Sequence, residues 1–255
     1  MQLTGKNMEK RVRLTVAYDG TNYHGWQVQN NAVTIEGMLN EAITDLLGKQ
    51  ISVIGASRTD AGVHAYGNVA VFDTDSPIPS EKMAGAINAR LPEDIRVIKS
   101  DEVPLDWHPR HQDCRKTYEY RISMGTVYLP TKRLYAHFTY KNLDIAAMQK
   151  ACEFFVGEHD FAAFCAADSQ AESTVRTIYD LRVLEETNGE VVIRVTGNGF
   201  LYNMVRIIAG TLMDVGIGRK KPAEIEGIIA SCERRMAGPT LPAKGLTLLG
   251  YEYGR

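Results

Sequence analysis

Residues 51–74 read ISVIGASRTDAGVHAYGNVAVFDT. Two apolar runs, 51–56 and 67–74, read as strands, and nine residues stand between them: Ser57, Arg58, Thr59, Asp60, Ala61, Gly62, Val63, His64 and Ala65. Thr59, Asp60 and Gly62 are ordinary turn residues, so composition alone gives a surface hairpin loop. An arginine, a carboxylate and a histidine set among small residues on a strand-built scaffold are also how a fold presents a reactive loop.

Outward from that stretch the chain keeps a regular order. Before it, residues 11–18 alternate, with Val12, Leu14, Val16 and Tyr18 on one side, and predict a half-buried strand. Thr34 caps a helix whose face carries Ile35, Met38, Leu39, Ala42, Ile43, Leu46 and Leu47, and Gly48 stops it. After it, Ser80 opens a second helix with Met83, Ala84, Ile87 and Leu91 inward and Pro92 as its stop, and 95–103 is a strand. That order is βαββαβ, the ferredoxin-like arrangement.

The remainder repeats the plan. Residues 114–123 alternate with Tyr118, Tyr120 and Ile122 on one face. Asp144 caps a helix carrying Ile145, Met148, Cys152 and Phe155. Residues 174–184 and 190–196 are two strands joined at Asn188-Gly189, a hairpin signal. A helix over 202–215 follows. A shorter one from Pro222 lines up Ile225, Ile228, Ile229 and Cys232, and 246–253 closes as a strand. The expected fold is α+β: two ferredoxin-like βαββαβ halves, 1–106 and 107–255, meeting near 104–112, with antiparallel sheets flanking a central basic cleft.

Composition sets the class. At 255 residues, 44% hydrophobic and 24% charged, the chain has the balance of a soluble globular protein. No apolar run reaches the roughly 18 residues of a spanning helix, and residues 1–10 lack a secretory stretch, so a cytoplasmic protein is expected. Cys114, Cys152, Cys165 and Cys232 form no close pair, which suits free, partly buried thiols. A net charge of −2 gives no general affinity for nucleic acid. An RNA site must then be local, and basic residues do gather at Arg110, His111, Arg115 and Lys116, at Lys132 and Arg133, and at Arg219, Lys220 and Lys221. Among the aromatics, Tyr23, Trp26, Tyr66 and Tyr118 read as core or as base-stacking groups, with core the preferred reading for Tyr66. His108, His111 and Cys114 lack a fourth ligand and read as a polar linker, with no metal expected. The Walker pattern lacks its Lys-Ser/Thr ending after Gly25, and the dinucleotide and nucleophile-elbow patterns each fail at their last position.

Five strings resemble the tRNA pseudouridine synthase A family: residues 18–27 (YDGTNYHGWQ), 57–65 (SRTDAGVHA), 116–120 (KTYEY), 197–210 (GNGFLYNMVRIIAG), and 237–240 (AGPT) with Gly245 and Leu246. The chain departs from the family's usual residues at Ser57, Asn68, Leu241 and Lys244. The resemblance implies isomerisation of uridine to pseudouridine at positions 38, 39 and 40 of the tRNA anticodon stem-loop by a cofactor-free cytoplasmic homodimer, with no DNA or membrane partner. It implies Asp60 as the catalytic carboxylate, attacking C1′ or abstracting at C2′. Free aspartate titrates near about 3.9 and a neighbouring arginine lowers that, so Asp60 is expected to be ionised at pH 7. Arg206 is implied to hold Asp60, Arg58 to fill the space of a flipped base, and Tyr118 to stack on the uracil. A non-catalytic RNA-binding module and a uridine-specific glycosidase are the other readings. The first would tolerate loss of Asp60, and the second would release free uracil.

Overall fold

The computed structural model describes residues 8–167, 171–186 and 189–254. The chain divides into two compact units, one ending at Asp113 and taking the tail from Tyr253, the other Cys114–Glu252.

The first unit runs β1 (Lys10–Tyr18), α1 (Ile35–Leu47), β2 (Ile54–Gly55), β3 (His64–Thr74), α2 (Met83–Asn88) and β4 (Ile95–Val103). Its sheet has the order β4-β1-β3 with β2 on β3, every pair antiparallel. The alternation of β1 sets the layers. Val12, Leu14 and Val16 are fully buried, and Leu14 faces Ser100, whose hydroxyl accepts the Ala84 amide of α2 (2.9 Å). The helices therefore lie on the Leu14 face. Thr34 caps α1 by accepting the Gly37 amide (3.2 Å), and Gly48 ends it at φ +66.

Two expectations are corrected here. The run 51–56 shrinks to the two paired residues of β2, because Thr44 and Asn40 of α1 take the amides of Ile51 (3.0 Å) and Val53 (2.8 Å) before a strand partner does. The second helix begins as a 3₁₀ turn, Ser80–Lys82, and its α part stops at Asn88, whose side chain bonds the Val97 backbone twice at 2.8 Å.

The second unit contains β5 (Cys114–Met124), β6 (His137–Thr139), α3 (Ile145–Cys152), β7 (Gly157–Asp160), β8 (Val175–Glu185), β9 (Glu190–Gly197), α4 (Met204–Gly216), α5 (Glu224–Ser231) and β10 (Leu246–Tyr253). Its order is β10-β5-β9-β8-β7, with β6 parallel to β5. Without β6 and β7 this is the first unit's arrangement, fourth strand beside first, then third, then second. β6 and β7 went unpredicted, being too short and too polar to alternate visibly. Asp144 caps α3 through the Ala147 amide (2.9 Å), and Phe155 follows in a 3₁₀ turn, fully buried. Asn188 lies outside the described residues; Gly189, at φ +75, donates its amide to Glu186 (3.0 Å). Cys232 does not share the α5 face but ends the helix at φ +53, exposed, whereas the other three thiols are buried. α4 is the most enclosed helix, with Ile207, Ile208, Ala209 and Leu212 fully buried.

Candidate active site

The Asp60 loop is tied down along its length. At its entry the Ala56 amide donates to the Val69 carbonyl (2.7 Å), and the buried Asn68 amide group donates to the Ser57 carbonyl (3.1 Å). Its turn closes with the Val63 amide on the Asp60 carbonyl (3.1 Å), with Gly62 at φ +77. β3 starts earlier than the sequence suggests, at His64, so Ala65 pairs with Tyr18 and the loop is shorter than nine residues.

The other side of the hold comes from the loop after β1. The Trp26 amide donates to the Thr59 carbonyl (3.0 Å) and the Gly62 amide to the Tyr23 carbonyl (3.2 Å). The hydroxyls of Tyr18 and Thr59 bond at 2.7 Å, and Asn68 donates to the same phenol (3.3 Å). His64 Nδ1 lies 3.1 Å from both the Gly20 amide nitrogen and Asp19 Oδ1. The two loops touch backbone to backbone, which requires glycine: a Cβ on Gly20 would overlap the Val63 carbonyl, and one on Gly25, at φ +86, would stand 2.6 Å from the Thr59 carbonyl oxygen. Behind them Trp26 is fully buried, and Tyr23 donates to Asp94 (2.6 Å), burial and that carboxylate pushing its phenol pKa upward.

This network fixes the backbone of Thr59 and Asp60 while leaving their neighbours accessible. Arg58 is exposed, Thr59 buried and Asp60 half-buried. That alternation is the one in which Arg58 and Asp60 share a face. A carboxylate held on a rigid, partly exposed turn is suited to nucleophilic attack or proton abstraction.

In the second unit, Tyr118 stands on β5 opposite Val195, 8% exposed, its ring edge-on to Phe200 with centroids 5.3 Å apart. Two places along, Tyr120 donates to the Pro242 carbonyl (2.7 Å), and burial drives its phenol pKa up. Arg206 lies in the first turn of α4, half-buried. Its Nε donates to the Leu241 carbonyl (2.7 Å), its Nη1 to Asn203 Oδ1 (2.5 Å), and its own carbonyl accepts the Leu241 amide (3.3 Å). Asn203, at φ +61, makes the sharp entry to the helix. Gly210 lies so close to Pro239 that a Cβ would overlap its carbonyl oxygen, and Thr211 Oγ1 accepts the Gly238 amide (2.8 Å).

So the first two of the five strings hold each other, and the fourth and fifth do the same. A family model described as tRNA pseudouridine synthase matches residues 14–112 and 151–254. The chain belongs to the tRNA pseudouridine synthase family. Among curated relatives, it is 49% identical to the tRNA pseudouridine synthase A of Ruminiclostridium cellulolyticum, over 96% of this chain and all of that one. It is 47% identical to that of Caldicellulosiruptor bescii over the same shares. A solved structure of an H/ACA RNP bound to a substrate RNA is similar at 14% identity and a TM-score of 0.32, over 95% of this chain and 47% of that one, too slight a likeness to inform the site. The pseudouridine synthase family isomerises uridine to pseudouridine in tRNA.

Tyr18, Gly20, Gly25, His64 and Asn68 hold the Asp60 loop, a role that the sequence alone assigns to none of them. Ser57 and Asn68, two departures from the family's usual residues, are bonded to each other, and at Leu241 the bonds to Arg206 use only backbone atoms, which any residue supplies. Of the basic groups, Lys132 pairs with Glu190 (2.9 Å), where Arg121 also bonds (3.1 Å). Burial raises the Glu190 pKa, and the bonds from Lys132 and Arg121 more than offset this and lower it. Arg110 donates to the Gly55 carbonyl (2.8 Å) and Arg115 lies over Tyr179 (4.5 Å). Tyr66, expected in the core, is 65% exposed. No helix among the described residues is long and apolar enough to cross a membrane.

Proposed function

We propose that this protein converts uridine to pseudouridine at positions 38, 39 and 40 in the anticodon stem-loop of tRNA, as a cytoplasmic homodimer needing no cofactor. The observation that carries the reading is the Asp60 turn, gripped by the loop after β1 through Thr59, Gly62 and the glycine contacts. A carboxylate on so fixed a turn meets the demand of a reaction that must break one bond to a sugar carbon and make another at the same carbon.

In the proposed sequence the nucleotide is extruded, at a cost of about a few kcal/mol, and Arg58 takes up the vacated space. Asp60 either attacks C1′ or removes a proton from C2′. The N1–C1′ bond breaks, the uracil turns, and C5 bonds to C1′. The C5 proton then leaves, N1 carries a proton in the product, and Asp60 is regenerated. Electrons balance without an oxidant or reductant. Tyr118 serves as a ring for the uracil, and Arg206 supports the carboxylate of Asp60, both as the resemblance implies.

The test uses anticodon stem-loop substrates tritiated at uridine C5, with the only uridine placed at 38, 39 or 40. Tritium release by the parent, pseudouridine in the digested product, and neither with Asp60→Ala, which still binds the RNA, are the expected results. Binding without release from all three substrates would leave the RNA-binding module as the function, and free uracil in the products would make the protein a glycosidase.

A further inference from the structure

Tyr66 is exposed because the strand carrying it is irregular at that point. Val16 of β1 pairs with Asn68, and Tyr18 pairs with Ala65, so the single residue Ala17 stands opposite both Tyr66 and Gly67. An extra residue on one strand is a β-bulge, a device that occurs beside active sites and re-aims a side chain. Opposed residues of an antiparallel pair share a face. Val16, Tyr18 and Asn68 share the helix-covered face, as the bond from Asn68 to the Tyr18 hydroxyl shows. Ala17 and the Tyr66–Gly67 pair fall on the other.

The bulge also lies against the reactive loop. That loop leaves the sheet alongside β3, with the Ala56 amide on the Val69 carbonyl and the Ser57 carbonyl bonded by the side chain of Asn68, two residues from Tyr66. The ring is 65% exposed and, among the described residues, makes no side-chain hydrogen bond or ring contact. A large aromatic left uncovered at this place, with strand geometry turning it outward, is a surface for a planar ligand.

Resting on the reading of Asp60 as the carboxylate acting on tRNA, we infer that Tyr66 is a substrate-positioning residue whose ring stacks on a nucleobase neighbouring the reacting uridine. Extruding one base leaves its neighbours without a stacking partner. An aromatic face replaces that partner for any base, because every base has a π-face. Tyr66 then acts on binding of the opened substrate, whereas Asp60 acts on the chemistry.

The test compares Tyr66→Ala and Tyr66→Phe with the parent, using an anticodon stem-loop with 2-aminopurine next to the target uridine. Tyr66→Ala is expected to weaken RNA binding by about 5- to 100-fold and to raise KM similarly, with kcat and melting temperature unchanged. Quenching of the 2-aminopurine should disappear, and Tyr66→Phe should restore binding and quenching. The slope of log affinity against log salt should stay the same, since no phosphate contact is lost. Parent-like affinity and quenching in Tyr66→Ala would overturn the inference, as would a Phe variant as weak as Ala. A change of oligomeric state in Tyr66→Ala would overturn it too, by making the ring a contact between copies. If the parent binds this RNA but releases no tritium, the catalytic reading fails, while the quenching comparison still decides the role of Tyr66.

Discussion

Asp60 and Arg206 are held by different means, although each sits where two distant strings of the chain pack together. Asp60 stands on a turn with no helix or ladder of its own, and its position comes from five bonds contributed by β3, by the end of β1 and by the loop after it. Arg206 stands on a helix whose backbone is already rigid, and the bonds of its guanidinium to Leu241 and Asn203 aim the side chain alone. A group on a turn depends on its neighbours for backbone position, whereas a group on a helix depends on them only for rotamer. Substitutions around the first should therefore lower the rate of chemistry, and substitutions around the second should chiefly affect stability or the aim of one side chain.

The sharpest separation lies in the two charged residues themselves. Asp60→Asn, which keeps shape and removes the carboxylate charge, should lower the single-turnover rate of tritium release by more than about 10³-fold with no change in melting temperature. Arg206→Lys, which cannot bond Leu241 and Asn203 in the same fork, should cost about 10-fold. Equal losses would erase the distinction.

Next come the glycine contacts of the second unit. Gly210→Ala forces a methyl group into the Pro239 carbonyl. It should destabilise the protein by about 1–3 kcal/mol, read as a lower denaturation midpoint, with the rate of the remaining folded enzyme within about 3-fold of the parent. A normal midpoint would show that α4 and the 237–240 segment are free to separate.

Tyr18→Phe removes the phenol that bonds both Thr59 and Asn68. The expected cost is about 1 kcal/mol of stability, checked by urea denaturation, with a few-fold fall in rate because the loop loses one tie.

The smallest effect concerns pH. Hydrogen bonds from Arg13, opposed by burial and aided by Lys99, hold the Asp101 carboxyl below its usual pKa. A carboxylate with a lowered folded-state pKa stabilises the fold above its unfolded pKa, near about 3.9, and loses that contribution as pH falls through the lowered value. Asp101→Asn should flatten the stability profile below about pH 4 by under about 1 kcal/mol and leave activity at neutral pH unchanged. A curve parallel to the parent's would remove Asp101 from the account.

Much of the fold was legible because β1, β5, β9 and the faces of α1 and α4 bury continuous apolar patterns. Ile51 and Val53 misled because buried apolar residues look like a strand even when Thr44 and Asn40 have taken their amides. β6 and β7 have too few residues for any period. That residues 57–63 form a loop before β3 was legible from the apolar runs on either side. What holds Asp60 was not, because the contacts of Gly20 with Val63 and of Tyr18 with Thr59 join residues far apart in sequence. Tyr66 was misassigned for a related reason: a bulge is a mismatch between two strands, and neither strand alone encodes it.

The most direct test of the central claim, that the loop after β1 positions Asp60 for chemistry, is the single-turnover rate of Gly25→Ala measured beside its tRNA dissociation constant. A methyl at that φ of +86, 2.6 Å from the Thr59 carbonyl oxygen and 3.1 Å from the Asp60 carbonyl carbon, must push the two loops apart and shift the Asp60 backbone while leaving its carboxylate chemically intact. A rate lowered about 10- to 100-fold with tRNA bound as tightly as by the parent is the predicted result. An unchanged rate in a folded Gly25→Ala protein would contradict it.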